Sequence, residues 1–102
     1  MIHVVAYLQV DPAKREAFLA RFAELKPLVE AEDGCLEYGA AVDATTGSEA
    51  QQPVGDDHVV VVEKWESVEA LEKHLAAPHM EEFRAAVADM LRGVKLSILS
   101  PA

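Results

Sequence analysis

The densest set of chemically capable side chains lies between residues 63 and 84. Two of them are imidazoles, His74 and His79, and a histidine can accept a proton near neutral pH, as a general base does. Glu63 offers a carboxylate, and Trp65 offers a flat aromatic surface that suits a planar ligand. The remaining members of the set are Phe83 and Arg84. These residue types would suit proton transfer to or from an aromatic small molecule.

Glu63 and Trp65 are two residues apart on a predicted strand, so both point to the same side of a sheet. If helices cover that side, Glu63 enters an apolar layer, where a carboxylate must be paired or have its pKa raised. A strand-end carboxylate paired with a lysine or arginine is the structural alternative to a functional Glu63, and both interpretations stay open. A core position is the simpler interpretation of Trp65, and the wall of a ligand pocket is its alternative.

The two histidines of this region lie on either side of a proline. His74 follows Leu71 by three residues and precedes Leu75, so it borders the apolar stripe of its helix. His74 could be a catalytic residue or could simply bond to a backbone carbonyl, and both interpretations stay equally open. For His79 the favoured interpretation is that it caps the helix break at Pro78. Their five-residue spacing is not the i, i+4 pair of a metal-binding helix, so we expect no histidine-based metal site.

Cys35 is the only cysteine, which excludes an intramolecular disulfide and a cysteine-based zinc site. It follows Gly34 at the start of a predicted strand and could be a nucleophile, although a buried, inert thiol is the favoured interpretation. The sequence has no G-x-G-x-x-G after the first strand, no P-loop and no G-x-S-x-G elbow. It therefore predicts no cradle for a nucleotide or flavin.

Four segments have the sequence pattern of β-strands and must hold these side chains in place. The first covers residues 2–10, and its even-numbered residues are all apolar. The third covers residues 58–65 and contains four consecutive valines, Val59 to Val62, so we expect it to be buried on both faces. The last covers residues 94–100. The second covers residues 35–43, and one parity carries Leu36, Tyr38, Ala40 and Val42.

The first helical segment covers residues 13–31. Asp11 and Pro12 predict its N-cap and first helical position. Pro27 lies inside the segment and should kink or split the helix near residues 24–26, and Gly34 should supply the stop. The apolar face of this helix is predicted to consist of Phe18, Phe22, Leu25 and Val29.

Two further helical segments lie between the third and fourth strands. Ser67 predicts the cap of a short helix over residues 68–76. Pro78 interrupts this pattern, and a last helix is predicted from about residue 79 to 92, ended by Gly93. The apolar face of the last helix is predicted to consist of Met80, Phe83, Val87 and Met90.

This order of elements predicts a ferredoxin-like α+β fold, an antiparallel four-stranded sheet with its helices on one face. The other face has no cover within the chain, and we expect Val5 and Tyr7 there. Either Val60 with Val62 or Val59 with Val61 should join them. Such a patch is rarely left in water, so we predict a homodimer that packs sheet face to sheet face.

Length and composition limit the class of protein. A chain of 102 residues has the size of one domain, and we expect a single domain over residues 1–102 with a flexible loop at 44–57. The hydrophobic fraction of 51% excludes disorder of the whole chain. A net charge of −9 disfavours nucleic acid and membrane surfaces as partners. The start carries no secretory signal pattern, so we expect a cytoplasmic protein.

Three stretches of the sequence resemble the antibiotic biosynthesis monooxygenase (ABM) domain family, and specifically its branch of small quinol monooxygenases. The resemblance covers nearly the whole chain, and the pattern E-x-W-x-S…H-L-x-x-P-H-M is fairly specific. It implies a ferredoxin-like unit that dimerises into an α+β barrel. The stretches are Gly34-Cys35 with Tyr38 and Asp43, then Val62-Glu63-Lys64-Trp65-Glu66-Ser67, then the run from Leu71 to Met80.

The resemblance implies oxidation or oxygenation of a quinol or similar electron-rich aromatic by O₂, without a metal or flavin. His74 would then be the base or proton relay, Glu63 would orient or tune it, and Trp65 would form a pocket wall. Further lining is expected from Tyr38, His79, Phe83 and Arg84. The alternative is a non-catalytic dimeric module that binds an aromatic ligand or has a stress-related accessory role; haem binding ranks last.

The chain also departs from relatives with other substrates. Anthrone-oxidising members carry an asparagine and a tyrosine where this chain has Val61 and Leu71, which disfavours an anthrone substrate. Haem-degrading relatives use an asparagine on the first strand and a histidine on the last helix, and the nearest positions here are Ala6 and Arg84. The usual axial ligand of haem is therefore missing.

Overall fold

The computed structural model describes all 102 residues. Its four strands form one antiparallel sheet in the order β2-β3-β1-β4, and the helices cover one face of that sheet. The predicted ferredoxin-like α+β fold is confirmed. The elements are β1 (Ile2–Val10), a 3₁₀ turn (Pro12–Lys14), α1 (Arg15–Glu30), β2 (Cys35–Ala41), β3 (His58–Trp65), α2 (Val68–Leu75), α3 (Pro78–Val87) and β4 (Leu91–Leu99).

The inner face of the sheet, which meets the helices, carries the core. The even-numbered residues of β1 from Val4 to Val10 are buried there, as the alternation predicts. On β3 the inner residues are Val59, Val61, Glu63 and Trp65, so the carboxylate does enter the apolar layer. Val60 and Val62 lie on the outer face with Val5 and Tyr7. Val62 is 38% exposed, so this chain alone buries only the inner face of β3.

Helix α1 is continuous through Pro27, so the predicted split of the helix is wrong, whereas the predicted kink stays a prediction. Proline removes only the N–H that would bond to the carbonyl of Ala23. Both residues lie on the exposed side of the helix, where water can satisfy that carbonyl. Leu25 and Val29 on the other side stay buried in the core, and this packing holds the helix together.

The boundary between α3 and β4 also differs from the prediction. The helix ends at Val87 rather than near residue 92, and Gly93 lies within β4 instead of ending the helix. The N–H of Asp11 donates to the carbonyl of Met90 at 2.9 Å, and Gly93 pairs with Gln9. Pairing with β1 therefore prevails over the helical spacing of the local sequence.

Strand β2 carries an irregularity that moves Leu36 off the face it was predicted to share with Tyr38 and Ala40. The register shifts between Cys35 and Glu37, so Cys35 and Tyr38 face the core while Leu36 is 52% exposed. A β-bulge of this kind adds one residue to one strand and moves the following side chains to the other face. The strand also ends at Ala41, two residues before the predicted end.

The turn between α1 and β2 brings the chain close to α2. Gly34 lies in this turn with φ of +82°, so it is not the helix stop that the sequence suggested. A Cβ atom at Gly34 would lie 2.6 Å from Cβ of Ala70 in α2. Only glycine allows this approach without a shift of the backbone. Ser67 caps α2 as predicted, accepting a bond from the N–H of Ala70 at 3.1 Å.

Residues 42–57 contain no helix or strand. The carboxylate of Asp43 accepts the N–H groups of Val54 and Gly55, each at 2.9 Å, and these bonds hold the two ends of the loop together. They also lower the pKa of Asp43. The flexibility predicted for this loop stays a prediction. None of the helices has the length and apolar character needed to cross a bilayer.

Candidate active site

A cavity of about 220 Å³ lies between the inner face of the sheet and the helices. Twelve of its 15 lining residues are hydrophobic, and the polar ones are Glu63, His74 and Arg84. Such an apolar hollow with a few polar groups is typical of a small-molecule site. The hydrophobic lining consists of Ala6, Leu8, Phe22, Tyr38, Val61, Leu75, Met80, Phe83, Val87, Leu91, Val94 and Leu96.

The cavity contains five of the seven site residues that the sequence predicted. His74, Glu63, Tyr38, Phe83 and Arg84 all line it. They come from β2, β3, α2 and α3, so the fold brings together side chains that are far apart in sequence. Neither Trp65 nor His79 is part of the lining.

His74 is fully buried and lies between two carboxylates. Its Nδ1 is 2.9 Å from Oε2 of Glu32, which is a hydrogen bond. Its Nε2 is 3.8 Å from Oε1 of Glu63, which is too long for one. The hydrogen bond to Glu32 therefore holds the imidazole through Nδ1. The other nitrogen, Nε2, lies on the side of Glu63, which also lines the cavity.

Glu63 makes its hydrogen bond with the indole of Trp65, whose Nε1–H donates to Oε1 at 2.9 Å. Burial raises the pKa of Glu63, and the indole bond and His74 offset part of that rise. The structural alternative for Glu63, a pair with a lysine or arginine, is wrong, since its partners are Trp65 and His74. The carboxyl is instead part of a small polar cluster at one end of the cavity.

Trp65 lies behind His74 rather than in the cavity wall. The two rings are 4.5 Å apart between centroids, and Trp65 is completely buried. The prediction that the indole lines the pocket is therefore wrong for this cavity. Trp65 is a core residue that supports the imidazole from behind and donates a hydrogen bond to Glu63.

Aromatic rings line the middle of the cavity. Phe22 stacks on Tyr38 at 5.2 Å between centroids and meets the edge of Phe83 at 6.3 Å. Tyr38 also contacts His74 edge to face at 5.5 Å. Burial, with the nearby charge of Glu63, raises the pKa of Tyr38, so its phenol stays neutral at physiological pH.

Arg84 is the only cationic side chain in the lining. Its guanidinium Nη2 donates to the backbone carbonyl of Leu75 at 3.0 Å, a bond that links α3 to the end of α2. The side chain is exposed. Arg84 therefore lies where the cavity meets the surface.

His79 contacts Glu32 rather than the cavity. Its Nε2 is 2.8 Å from Oε2 of Glu32, the same oxygen that binds His74. The capping role favoured for His79 is not observed, because the first turn of α3 begins at Pro78 and has no side-chain cap. His79 instead forms the outer end of a buried hydrogen-bonded group.

Glu32 is a site residue that no sequence pattern predicts. It lies after the end of α1, outside the helical periodicity, in a run of acidic residues that includes Glu30 and Asp33. Nothing in that run distinguishes the side chain that points inward. The one local indication of the inward position of Glu32 is the nearby Gly34, which permits the tight turn against α2.

The nitrogens of His74 and His79 and the carboxylate of Glu32 lie within 4.8 Å of one another, so they could in principle hold a metal ion. Ligands of a tetrahedral ion at about 2.0–2.1 Å are separated by about 3.3 Å. The separations from the Glu32 oxygen are 2.8 and 2.9 Å, which are typical of charge-assisted hydrogen bonds. These distances fit two imidazole N–H groups that donate to one carboxylate better than they fit a metal site.

Cys35 shows no activation of its thiol. It is half-buried at the edge of the core, and burial together with Glu32 raises its pKa. A raised pKa lowers the thiolate fraction, and the thiolate is the reactive form. The geometry supports the interpretation of Cys35 as an inert packing residue.

Comparison with known proteins gives a family match over most of the chain. Residues 1–86 match the family model described as antibiotic biosynthesis monooxygenase. The chain is 36% identical to the probable quinol monooxygenase YgiN of Escherichia coli K12, over 99% of this chain and 98% of that protein.

Solved structures show the same fold. The structure of Rv0793 from Mycobacterium tuberculosis has a TM-score of 0.81 and 28% identity, over 99% of this chain and 94% of that chain. A conserved protein from Methanosarcina mazei has a TM-score of 0.85 at 22% identity, covering 99% of this chain and 92% of that chain, and it shows the fold alone. With its family match and its similarity over nearly the full length, this chain belongs to the antibiotic biosynthesis monooxygenase family.

Proposed function

We propose that this protein is a monooxygenase or oxidase that acts on a quinol or similar electron-rich aromatic with O₂ and needs no cofactor. The observation that carries the proposal is the mostly apolar cavity of about 220 Å³, with His74 and Glu63 at one end. Electron-rich phenols need a base before they react with O₂, because the phenolate is a much stronger reductant than the phenol. Family membership and the name of the E. coli relative support the same class of reaction.

The reaction balances without a further reagent. Nε2 of His74 removes the proton of a ring hydroxyl, and the phenolate transfers one electron to O₂. The semiquinone and superoxide combine through a new C–O bond, and the imidazolium protonates the peroxide. Loss of the ring C–H proton with cleavage of the O–O bond gives a hydroxylated quinone and water. In the oxidase variant the same pair separates as quinone and H₂O₂.

The other predicted site residues also have roles in this proposal. Glu63, 3.8 Å from Nε2, stabilises the imidazolium that forms on proton transfer. Tyr38 and Phe83 contact the faces of the planar substrate. Arg84 at the cavity mouth supplies a donor for a developing oxyanion. Trp65 acts on the site only through Glu63 and His74, so it is a positioning residue.

The test is hydroquinone-dependent O₂ uptake by chelator-treated protein, with ¹⁸O₂ to identify oxygen inserted into the product. We expect His74→Ala to lower kcat by about 10²- to 10⁴-fold, the usual contribution of a general base. Lys73→Ala, at the exposed position next to His74 on α2, is the control and should keep wild-type activity. Unchanged uptake in His74→Ala would remove His74 from the mechanism.

The same experiment separates the alternatives. A protein that binds hydroquinones in the cavity but consumes no O₂ with any of them would be the non-catalytic binding module. Haem binding would appear as a Soret shift on titration that is lost when a histidine is replaced. Either outcome would leave the fold and family assignment unchanged.

We further propose that the chain acts as a single-domain homodimer in the cytoplasm, joined through the outer face of the sheet. Val5, Tyr7, Val60 and Val62 form an apolar patch there that no element of this chain covers. Burying this patch against a second copy would remove it from water. Analytical ultracentrifugation at micromolar concentration should give a dimer, and a monomer would contradict the proposal.

A further inference from the structure

The carboxylate of Glu32 determines which ring nitrogen of His74 and of His79 carries a hydrogen. Its Oε2 lies 2.9 Å from Nδ1 of His74 and 2.8 Å from Nε2 of His79. An ionised carboxylate can only accept hydrogen bonds, so each of these nitrogens must carry a hydrogen. Glu32 is therefore bonded to the Nδ1–H form of His74 and the Nε2–H form of His79.

This choice of tautomer leaves the other nitrogen of a neutral His74 without a hydrogen. Nε2 lies on the side of Glu63, and both residues line the cavity. A base must present a lone pair to the group that it deprotonates. With the Nδ1 hydrogen bound by Glu32, the lone pair of His74 is available where a substrate would lie.

Without Glu32, the site would favour the opposite tautomer. The only other carboxylate near the His74 ring is Glu63, 3.8 Å from Nε2. An imidazole freed from Glu32 would be drawn to donate Nε2–H to Glu63, and its lone pair would then point away from the cavity. The two carboxylates thus compete for the single hydrogen of a neutral ring, and the shorter contact favours Glu32.

The fold holds Glu32 firmly in this position. Its N–H donates to the carbonyl of Val29 at 2.9 Å, and its own carbonyl accepts the N–H of Cys35 at 3.2 Å. Gly34 brings the turn within contact of α2, the helix that carries His74. His79 binds the same oxygen from the outer side and further restricts the carboxylate.

We propose that Glu32 is a positioning residue that holds His74 in the Nδ1–H tautomer and so makes Nε2 the proton acceptor of the site. This inference rests on the proposed function for its catalytic consequence, but the tautomer itself does not. In other enzymes, a carboxylate that orients a histidine base acts on rate through tautomer and ring orientation.

The tautomer is measured directly, by long-range ¹⁵N–¹H correlation spectra of the histidine rings at a pH where His74 is neutral. The wild type should show His74 with a hydrogen on Nδ1, and Glu32→Ala should shift it mainly to Nε2–H. In the same variant, kcat should fall by about 10- to 100-fold with KM within about twofold. His74→Ala identifies the His74 signals.

Further variants make the result decisive. Glu32→Gln keeps the shape and an acceptor oxygen, but a carboxamide accepts more weakly, so its kcat should lie between those of wild type and Glu32→Ala. If Glu32→Ala does not fold, Glu32→Leu takes its place, because leucine fills the space but offers no acceptor; a pure Nδ1–H spectrum with wild-type kcat in Glu32→Leu would overturn the proposal. Glu30→Ala, an exposed neighbour paired with Lys26, is the matched control and should behave as wild type.

The outcomes separate this inference from the proposed function. Persistence of the Nδ1–H form in Glu32→Ala would refute the role of Glu32, whether or not the protein consumes O₂. Absence of O₂ uptake by the wild type with every hydroquinone tested would refute the proposed function instead, and the tautomer spectra would still report on Glu32.

Discussion

The inner face of the sheet is buried at one end, the closed end, and partly exposed to solvent at the other, the open end. The strands at both ends carry the same apolar alternation. At the closed end, Trp65 on β3 is completely buried against His74 and α2. At the open end, Val94, Leu96 and Ile98 on β4 pair with the buried residues Leu8, Ala6 and Val4 of β1. These three β4 residues nevertheless remain 60%, 46% and 50% exposed.

The difference arises from the position of the helices. They pack mainly over β2 and β3, and the edge strand β4 extends beyond them. A residue of β4 can therefore face the core side of the sheet and still contact solvent. The cavity lies between these two ends, since Glu63 and His74 line it on one side and Val94 and Leu96 on the other. Alternation thus predicts which way a side chain points, whereas burial depends on what lies above it.

The largest expected effect is on stability and contrasts the two ends directly. Trp65→Ala should lower the free energy of unfolding by about 3–5 kcal/mol, because it leaves a cavity behind His74 and removes the donor to Glu63. Leu96→Ala should cost about 1 kcal/mol or less, since half of that side chain is already in water. Urea denaturation of both variants measures the difference. Equal losses would mean that the open end is covered in solution.

The next effect concerns substrate access at the open end. Leu96→Trp places a larger ring at the cavity lining and should raise KM for a hydroquinone by about tenfold, equivalent to about 1.4 kcal/mol of binding. Ile98→Trp is the matched control, because Ile98 lies on the same strand and face but does not line the cavity. A KM that rises equally in both variants would show that access does not pass Leu96.

The smallest expected effect is the pH dependence of stability that Glu63 introduces at the closed end. Burial raises the pKa of Glu63 in the folded protein, so the native state holds this proton more tightly than the unfolded chain. The contribution of Glu63 to stability is then greatest below its unfolded pKa and falls as pH rises through the folded pKa. Glu63→Gln cannot ionise and should lack this decline. Melting temperatures measured from pH 4 to 8 compare the two proteins, and parallel curves would contradict the assignment.

Much of the fold was predictable because it follows from local patterns. Alternation identified β1, the run of four valines identified β3, a serine cap identified the start of α2, and the element order identified the ferredoxin-like fold. The end of α3 was not predictable, because Met90 continues the helical spacing and only pairing with β1 converts the following residues into a strand. The bulge after Cys35 was not predictable either, because the register of a strand depends on the strand with which it pairs.

By itself, the sequence determined which residues could do chemistry and which side of the sheet Glu63 and Trp65 share, because residue type and strand periodicity are local. Tertiary structure alone decided that Trp65 stands behind the imidazole rather than in the cavity wall. It also decided that Glu32, rather than any other acidic residue of its run, binds His74 and His79. These contacts span more than 40 residues, and their geometry depends on the packing of the turn at Gly34 against α2, which no local pattern contains.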